Sequence, residues 1–218
     1  MQVFVSWSGG KDSCLSLYRA LKDGFKVKFL LNMLGEDGST SRSHGLRKEV
    51  IDAQAKAIGI PIVYGQTSWE SYEEEIKKII KDLKSQGVKG GVFGDLNLPE
   101  HKEWVEKVCS DLGIKAFEPL WQERYEKLLN EFMGNGFEAV IVSAKANLIG
   151  AEWIGHPFNW VFIEYLRGHR LDLCGEKGEY HTLVTSGPIF QQCIKILESR
   201  KTVKNGRHVL EILKVSIL

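Results

Sequence analysis

With 29 lysines and arginines against 28 aspartates and glutamates, the 218-residue chain carries a net charge of +1, so no overall field draws it to nucleic acid or to a membrane surface. A hydrophobic fraction of 43%, with aromatic residues spread along the length, suits a globular protein with a substantial core and excludes a disordered or fibrous one. Cys14, Cys109, Cys174 and Cys193 lie too far apart for a metal-type cluster, and no apolar run approaches the ~20 residues of a membrane span; reduced thiols, no membrane and a cytoplasmic location are expected.

In chain order, Val3-Phe4-Val5-Ser6-Trp7 predicts a buried strand, Ser8-Gly9-Gly10 a tight turn, and the stripe Cys14, Leu17, Tyr18, Leu21 an amphipathic helix. A second strand, Val27 to Met33, opens into Gly35-Glu36-Asp37-Gly38, and the run Ser39 to Ser43 leads to a helix with Leu46, Val50, Ala53 and Ala57 on its apolar face. Pro61 to Tyr64 predicts a third strand, followed by a charged helix with Tyr72, Ile76, Ile79, Ile80 and Leu83 inward. Gly91 to Gly94 is a short fourth run ending at Asp95; a helix with Trp104, Val105, Val108 and Leu112 and a fifth strand at Ile114 to Phe117 complete the pattern. Strands alternating with helices at this spacing indicate βαβ units, hence an α/β fold with a five-stranded parallel sheet and helices on both faces. Right-handed crossovers bring ligand groups to the carboxyl ends of the strands, so the loop 8–13, the Met33 to Glu36 region and Gly94-Asp95 are expected to converge on one crevice.

After Pro119-Leu120-Trp121 the pattern changes. A helix from about Glu123, a strand at Ala139 to Val142, a short helix near Asn159 and a hairpin around Asn205-Gly206 read as a smaller α+β region, giving expected domains 1–120 and 121–218. Trp153, Phe158 and Trp160 read as core aromatics.

The turn at 8–13 carries the first chemistry. Gly9 and Gly10 place no Cβ between the backbone and an approaching group, Ser8 and Ser13 add hydroxyls, and Lys11 adds a point charge at a helix N-terminus, where open amides and the macrodipole favour an anion. A Walker A loop needs Ser or Thr after the lysine, where Asp12 stands, and a dinucleotide fingerprint needs a glycine where Cys14 stands. The hexapeptide Ser8-Gly9-Gly10-Lys11-Asp12-Ser13 resembles instead the pyrophosphate loop of enzymes that split ATP into AMP and pyrophosphate.

A second constellation, Gly175-Glu176-Lys177-Gly178-Glu179-Tyr180-His181-Thr182, packs two carboxylates, an imidazole, a phenol and a hydroxyl onto a backbone loosened by two glycines. Its chemistry fits a binding loop and, equally, a polar surface turn. With loop 8–13, Gly94-Asp95 before a helix, and Pro119-Leu120-Trp121, it makes the chain resemble the archaeal-type diphthine–ammonia ligase family of N-type ATP pyrophosphatases over most of its length.

That resemblance implies a sheet of the adenine nucleotide alpha hydrolase (HUP-like) kind and a reaction in two halves. The diphthine carboxylate on elongation factor 2 attacks the α-phosphate of ATP, and ammonia then displaces AMP. It implies Ser8, Gly9, Gly10, Lys11, Asp12, Ser13, Met33, Gly94 and Asp95 as ATP contacts, and Asp12 or Asp95 beside Mg²⁺. On the acceptor side, the 121–218 domain, it implies Gly175, Glu176, Gly178, Glu179, Tyr180 and Thr182. Lys11, Asp12, Glu176, Glu179 and His181 are the implied catalytic set, the carboxylates and aromatic face receiving the trimethylammonium. Free ammonium is the expected donor, and oligomeric state stays open, a homodimer included. Two alternatives remain: a related enzyme that adenylates tRNA, which the charge and cysteines disfavour, and a non-catalytic ATP sensor of the same fold.

Overall fold

Val3 and Val5 face one side of the first strand and Phe4 the other, and this alternation sets the layers of the protein. The computed structural model describes residues 1–218. The first half runs β1 (Gln2–Ser6), α1 (Lys11–Lys22), β2 (Lys26–Leu34), α2 (Lys48–Ile58), β3 (Ile62–Gln66), α3 (Tyr72–Ser85), β4 (Gly90–Val92), α4 (Pro99–Asp111) and β5 (Lys115–Phe117). Every strand pairing is parallel, in the order β3-β2-β1-β4-β5, as the alternating pattern predicts. The order reverses between β1 and β4, which puts the switch-point crevice between the loops after those two strands.

Helices α1 and α2 cover the face that receives Val3 and Val5, through residues such as Leu17 and Ile51. The opposite face, with Phe4, Leu31 and Met33, is covered by Ile76, Ile80 and Leu83 of α3 and Val105 and Val108 of α4.

The second half comprises α5 (Tyr125–Gly134), β6 (Glu138–Lys145), a single 3-10 turn (Ala151–Trp153), α6 (Trp160–Gly168), β7 (Tyr180–Ser186), β8 (Ile194–Lys204) and β9 (Arg207–Ile217). Its four strands form an antiparallel sheet in the order β7-β6-β9-β8. Asn205 and Gly206 both adopt positive φ (49° and 72°), the conformation a two-residue hairpin turn requires and the reason an Asn-Gly pair stands there. Asn159 caps α6, its side-chain oxygen accepting from the amides of Val161 and Phe162.

Of the three aromatics read as core, Phe158 is buried, Trp153 is half-buried, and Trp160 departs from the expectation: as the first residue of α6 it is 42% exposed. No helix is long and apolar enough to cross a membrane.

The two sheets share one core. A single cluster of 37 buried residues joins β1, α1 and α2 to Phe132 of α5, Ile141 of β6, Phe162 of α6 and Leu183 of β7. Phe132 stacks on Phe137 (ring centroids 4.8 Å apart) and meets Phe158 edge-on at 5.9 Å. Truncation of this fully buried ring is expected to cost about 3–5 kcal/mol. Phe132→Ala should therefore unfold at lower denaturant with both halves melting in one transition; separate transitions in the variant would show that the shared cluster does not couple the halves.

Candidate active site

The loop after β1 is shaped by its own side chains. Gly9 turns the chain with φ of 81°, and Gly10 precedes the first helical residue. The Gly10 amide donates to Ser8 Oγ (3.2 Å), the Ser8 hydroxyl to Ser13 Oγ (3.1 Å), and the Ser13 hydroxyl to the Gly10 carbonyl (3.0 Å), a closed ring of bonds around the turn. The amides of Gly9, Asp12 and Ser13 have no protein acceptor and stand open at the N-terminus of α1. The expectation that the Gly10 amide joins them is corrected here, because Ser8 occupies it.

The second constellation docks on this loop. The Lys11 amide donates to Thr182 Oγ1 (3.0 Å), capping α1 from 171 residues away, and the Val184 amide donates to the Gly9 carbonyl (3.0 Å). The Lys11 side chain, 6% exposed, donates to Asp12 Oδ2 (2.7 Å) and to the Cys174 carbonyl, with its ammonium 5.4 Å from the Tyr180 ring centre. Glu176 reaches the loop after β4: its carboxylate accepts from the amides of Leu96 (3.1 Å) and Asn97 and from the Tyr125 hydroxyl (2.9 Å). The surface-turn reading of residues 175–182 is thereby set aside.

Between these loops lies a cavity of about 700 Å³. Of the expected residues, Ser8, Lys11, Asp12, Ser13, Met33, Gly94, Asp95, Gly175, Glu176, Tyr180, His181 and Thr182 line it. Gly9 and Gly10 form the turn beneath. Gly94 explains itself sterically, since a Cβ there would lie 3.2 Å from the Asp12 carbonyl carbon and 3.3 Å from the Ser13 amide. Gly178 and Glu179 do not line the cavity. Gly178 sits at φ of 73° in the turn before β7, its carbonyl accepting from Arg207 Nη1 (2.8 Å). Glu179 is 8% exposed, its Oε2 buried without a partner, so it departs from the expected acceptor wall.

No group of three or more acidic, His or Cys side chains is assembled for a metal. Asp12 and Asp95 nevertheless face one cavity, which fits Mg²⁺, an ion that takes one or two carboxylates and draws its other ligands from phosphate and water. Asp95 also pairs with His101 (Oδ1 to Nδ1, 3.3 Å).

Sequence reasoning missed two further groups. Gln54 of α2 is fully buried and accepts from Trp7 Nε1 (2.9 Å) while donating to the carbonyls of Gly9 (2.9 Å) and Val184 (2.8 Å); a helix-face glutamine carries no sign of this. His44 stacks on His181 (centroids 4.4 Å), its Nδ1 lies 3.1 Å from the Thr182 carbonyl, and its ring fills the space a Gly10 Cβ would take. Burial holds His44 down to about 4, and burial together with His44 and Arg207 holds His181 well below its ordinary value, so both imidazoles are neutral near pH 7. Burial likewise pushes the Cys174 thiol up to about 12, which keeps it from serving as a nucleophile.

Open amides at the switch point of a five-stranded parallel sheet, beside a cavity of about 700 Å³, define an α/β protein with a ligand crevice at the carboxyl ends of its strands. The chain belongs to the diphthamide synthase family: the descriptions Diphthamide synthase N-terminal domain and Diphthamide synthase C-terminal domain match residues 1–116 and 124–218. It is similar to the diphthine–ammonia ligase of Schizosaccharomyces pombe, 27% identical over 99% of this chain but only 39% of that protein's length. The rat and human diphthine–ammonia ligases are 25% and 26% identical, over 94% and 93% of this chain and 86% and 85% of theirs. A crystal structure described as a predicted subunit of tRNA methyltransferase from Methanocaldococcus jannaschii covers 86% of this chain at 15% identity and a TM-score of 0.48.

The imidazole pair makes stability depend on pH. With folded values below the ordinary 6.5, the unfolded chain binds more protons as pH falls from 6.5 toward 4, so stability is lost across that window, by up to about 1.4 kcal/mol per pH unit for each imidazole. Urea titrations from pH 7 to 4 should show a shallower loss for His44→Gln than for the wild type; equal slopes would mean that His44 is protonated in the folded protein.

Proposed function

We propose that the protein uses ATP to convert diphthine on elongation factor 2 to diphthamide, with ammonia as nitrogen donor. The observation that carries this reading is the bond from the Lys11 amide to Thr182, which joins the phosphate loop and the 175–182 loop around one cavity. Residues 1–120 hold the nucleotide, and 121–218 present the acceptor.

In the first half-reaction an oxygen of the diphthine carboxylate attacks the α-phosphorus, the bond to the β-phosphate oxygen breaks, and pyrophosphate leaves with the electron pair. The open amides of Gly9, Asp12 and Ser13 receive that charge, and Lys11 offsets it. These donors are fixed before reaction, which is where electrostatic catalysis gains most. Asp12 and Asp95 would hold Mg²⁺, which would supply further charge neutralisation when bound. Met33 and the close approach at Gly94 leave room for the adenosine between the strand ends. In the second half-reaction the ammonia lone pair attacks the acyl carbon, AMP departs, and the nitrogen gives up a proton. Glu176, Tyr180 and His181 border this side; Cys174, held as a thiol, does not compete as a nucleophile.

Incubating the protein with ATP, ammonium and diphthine-bearing elongation factor 2 should give the mass change of amidation, with AMP and pyrophosphate released in step with it. No AMP on adding the acceptor would sink the reading. Lys11→Ala should lower turnover by 10²-fold or more, in the range typical for loss of one charge-stabilising group, with a smaller loss in ATP affinity. Equal losses in the two would reduce Lys11 to uniform binding.

A further inference from the structure

The charges lining the cavity are unevenly compensated. Its carboxylates are Asp12, Asp95, Glu100 and Glu176, and its permanent cations are Lys11 and Arg42. Lys11 is bound to Asp12, and the two stacked imidazoles are neutral. Arg42 alone among these cations has no carboxylate partner. It is held instead by neutral groups: Nη1 donates to the Thr67 carbonyl (2.9 Å) and the guanidinium lies 4.2 Å from the ring centre of Trp69, while Nε is buried without a partner. Trp69 is 73% exposed in the turn between β3 and α3, an unusual place for the largest side chain, and it lines the cavity beside Arg42.

The position of Arg42 is set by backbone. Its amide donates to the Met33 carbonyl (2.8 Å) at the end of β2, and two residues later His44 packs on Gly10 of the phosphate loop. Arg42 lines the same cavity as Ser8, Lys11, Asp12 and Ser13, so a guanidinium that leaves Trp69 turns toward the loop 8–13 within one open space.

We propose that Arg42 is a binding residue for the phosphate chain of the nucleotide, parked on Trp69 in the free protein and transferred to the phosphates when nucleotide enters. The chemistry favours this exchange: a guanidinium offers paired N–H donors matched to phosphate oxygens, and a charge-assisted pair replaces an exposed cation–π contact of about 0.5–1 kcal/mol. The exchange also accounts for the exposed tryptophan as a holder that keeps the guanidinium away from Asp12, Asp95 and Glu100 while the site is empty. The proposal rests on the reading of the cavity as an ATP site.

Titration calorimetry with ATP and with adenosine separates the two levels. If the wild type binds no ATP, the ATP reading itself fails. If it binds, Arg42→Met should weaken ATP at least tenfold and adenosine less than twofold, with Arg42→Lys in between. An Arg42→Met protein that retains its thermal transition and binds ATP within twofold of wild type overturns the proposal, as does equal weakening of ATP and adenosine. A second readout is the Trp69 emission, isolated as the difference between wild type and Trp69→Phe. ATP should change it and adenosine should not; an unchanged Trp69 signal at saturating ATP overturns the transfer from the tryptophan.

Discussion

One buried carboxamide holds the backbone around the cavity in shape. Gln54 accepts from Trp7 just after β1 and donates to Gly9 in the 8–13 loop and Val184 in β7, using three hydrogen-bonding sites on three segments. A Cβ on Gly9 would lie 2.7 Å from Gln54 Oε1, so the glycine is required by the amide that braces it as well as by its positive φ. A buried polar group left unpaired costs about 1–3 kcal/mol, and a fully paired one permits few alternative arrangements. The loop is thus braced before ligand arrives, with the Gly9, Asp12 and Ser13 amides already free of protein acceptors.

The second half of the chain completes the site as much as it flanks it. Thr182 caps α1, the Cys174 carbonyl holds Lys11, and Glu176 ties down the backbone after β4. The crevice at a switch point is open on one side by construction, and this loop closes that side. The same packing half-buries His44 and His181 against each other. Loss of hydration there, with Lys11 and Arg207 acting on both, disfavours an imidazolium at either position, so the pair stays neutral and leaves the cavity's charge to lysine, arginine and the carboxylates.

A single core links these parts. The cluster that carries β1 and α1 also carries α5, α6 and β7, so relative movement of the 8–13 and 175–182 loops would disturb packed contacts such as Tyr18 of α1 edge-on to Phe137, 5.8 Å between ring centroids. Among the large hydrophobic side chains Trp69, which stacks with Arg42, is the most exposed.

Local pattern determined much of this protein. The helix stripes, the short apolar runs and the Asn205-Gly206 turn sufficed for six helices and the parallel class of the first sheet, because period and turn chemistry are properties of neighbouring residues. The hexapeptide 8–13 likewise carried the expectation of an anion site, since its glycines, hydroxyls and lysine act within a single turn. What only the tertiary structure decided are relations between residues far apart in the chain: Gln54 with Gly9 and Val184, Thr182 with Lys11, and His44 against His181. No local signal separates a glutamine that braces a loop from one facing water, or tells that Glu176 binds backbone and lines the cavity while Glu179, three residues on, turns inward. On an extended strand such as β7, and in the turn leading to it, one residue of shift exchanges cavity for interior, and that register is settled by pairing with β6, which the 175–182 segment does not encode by itself.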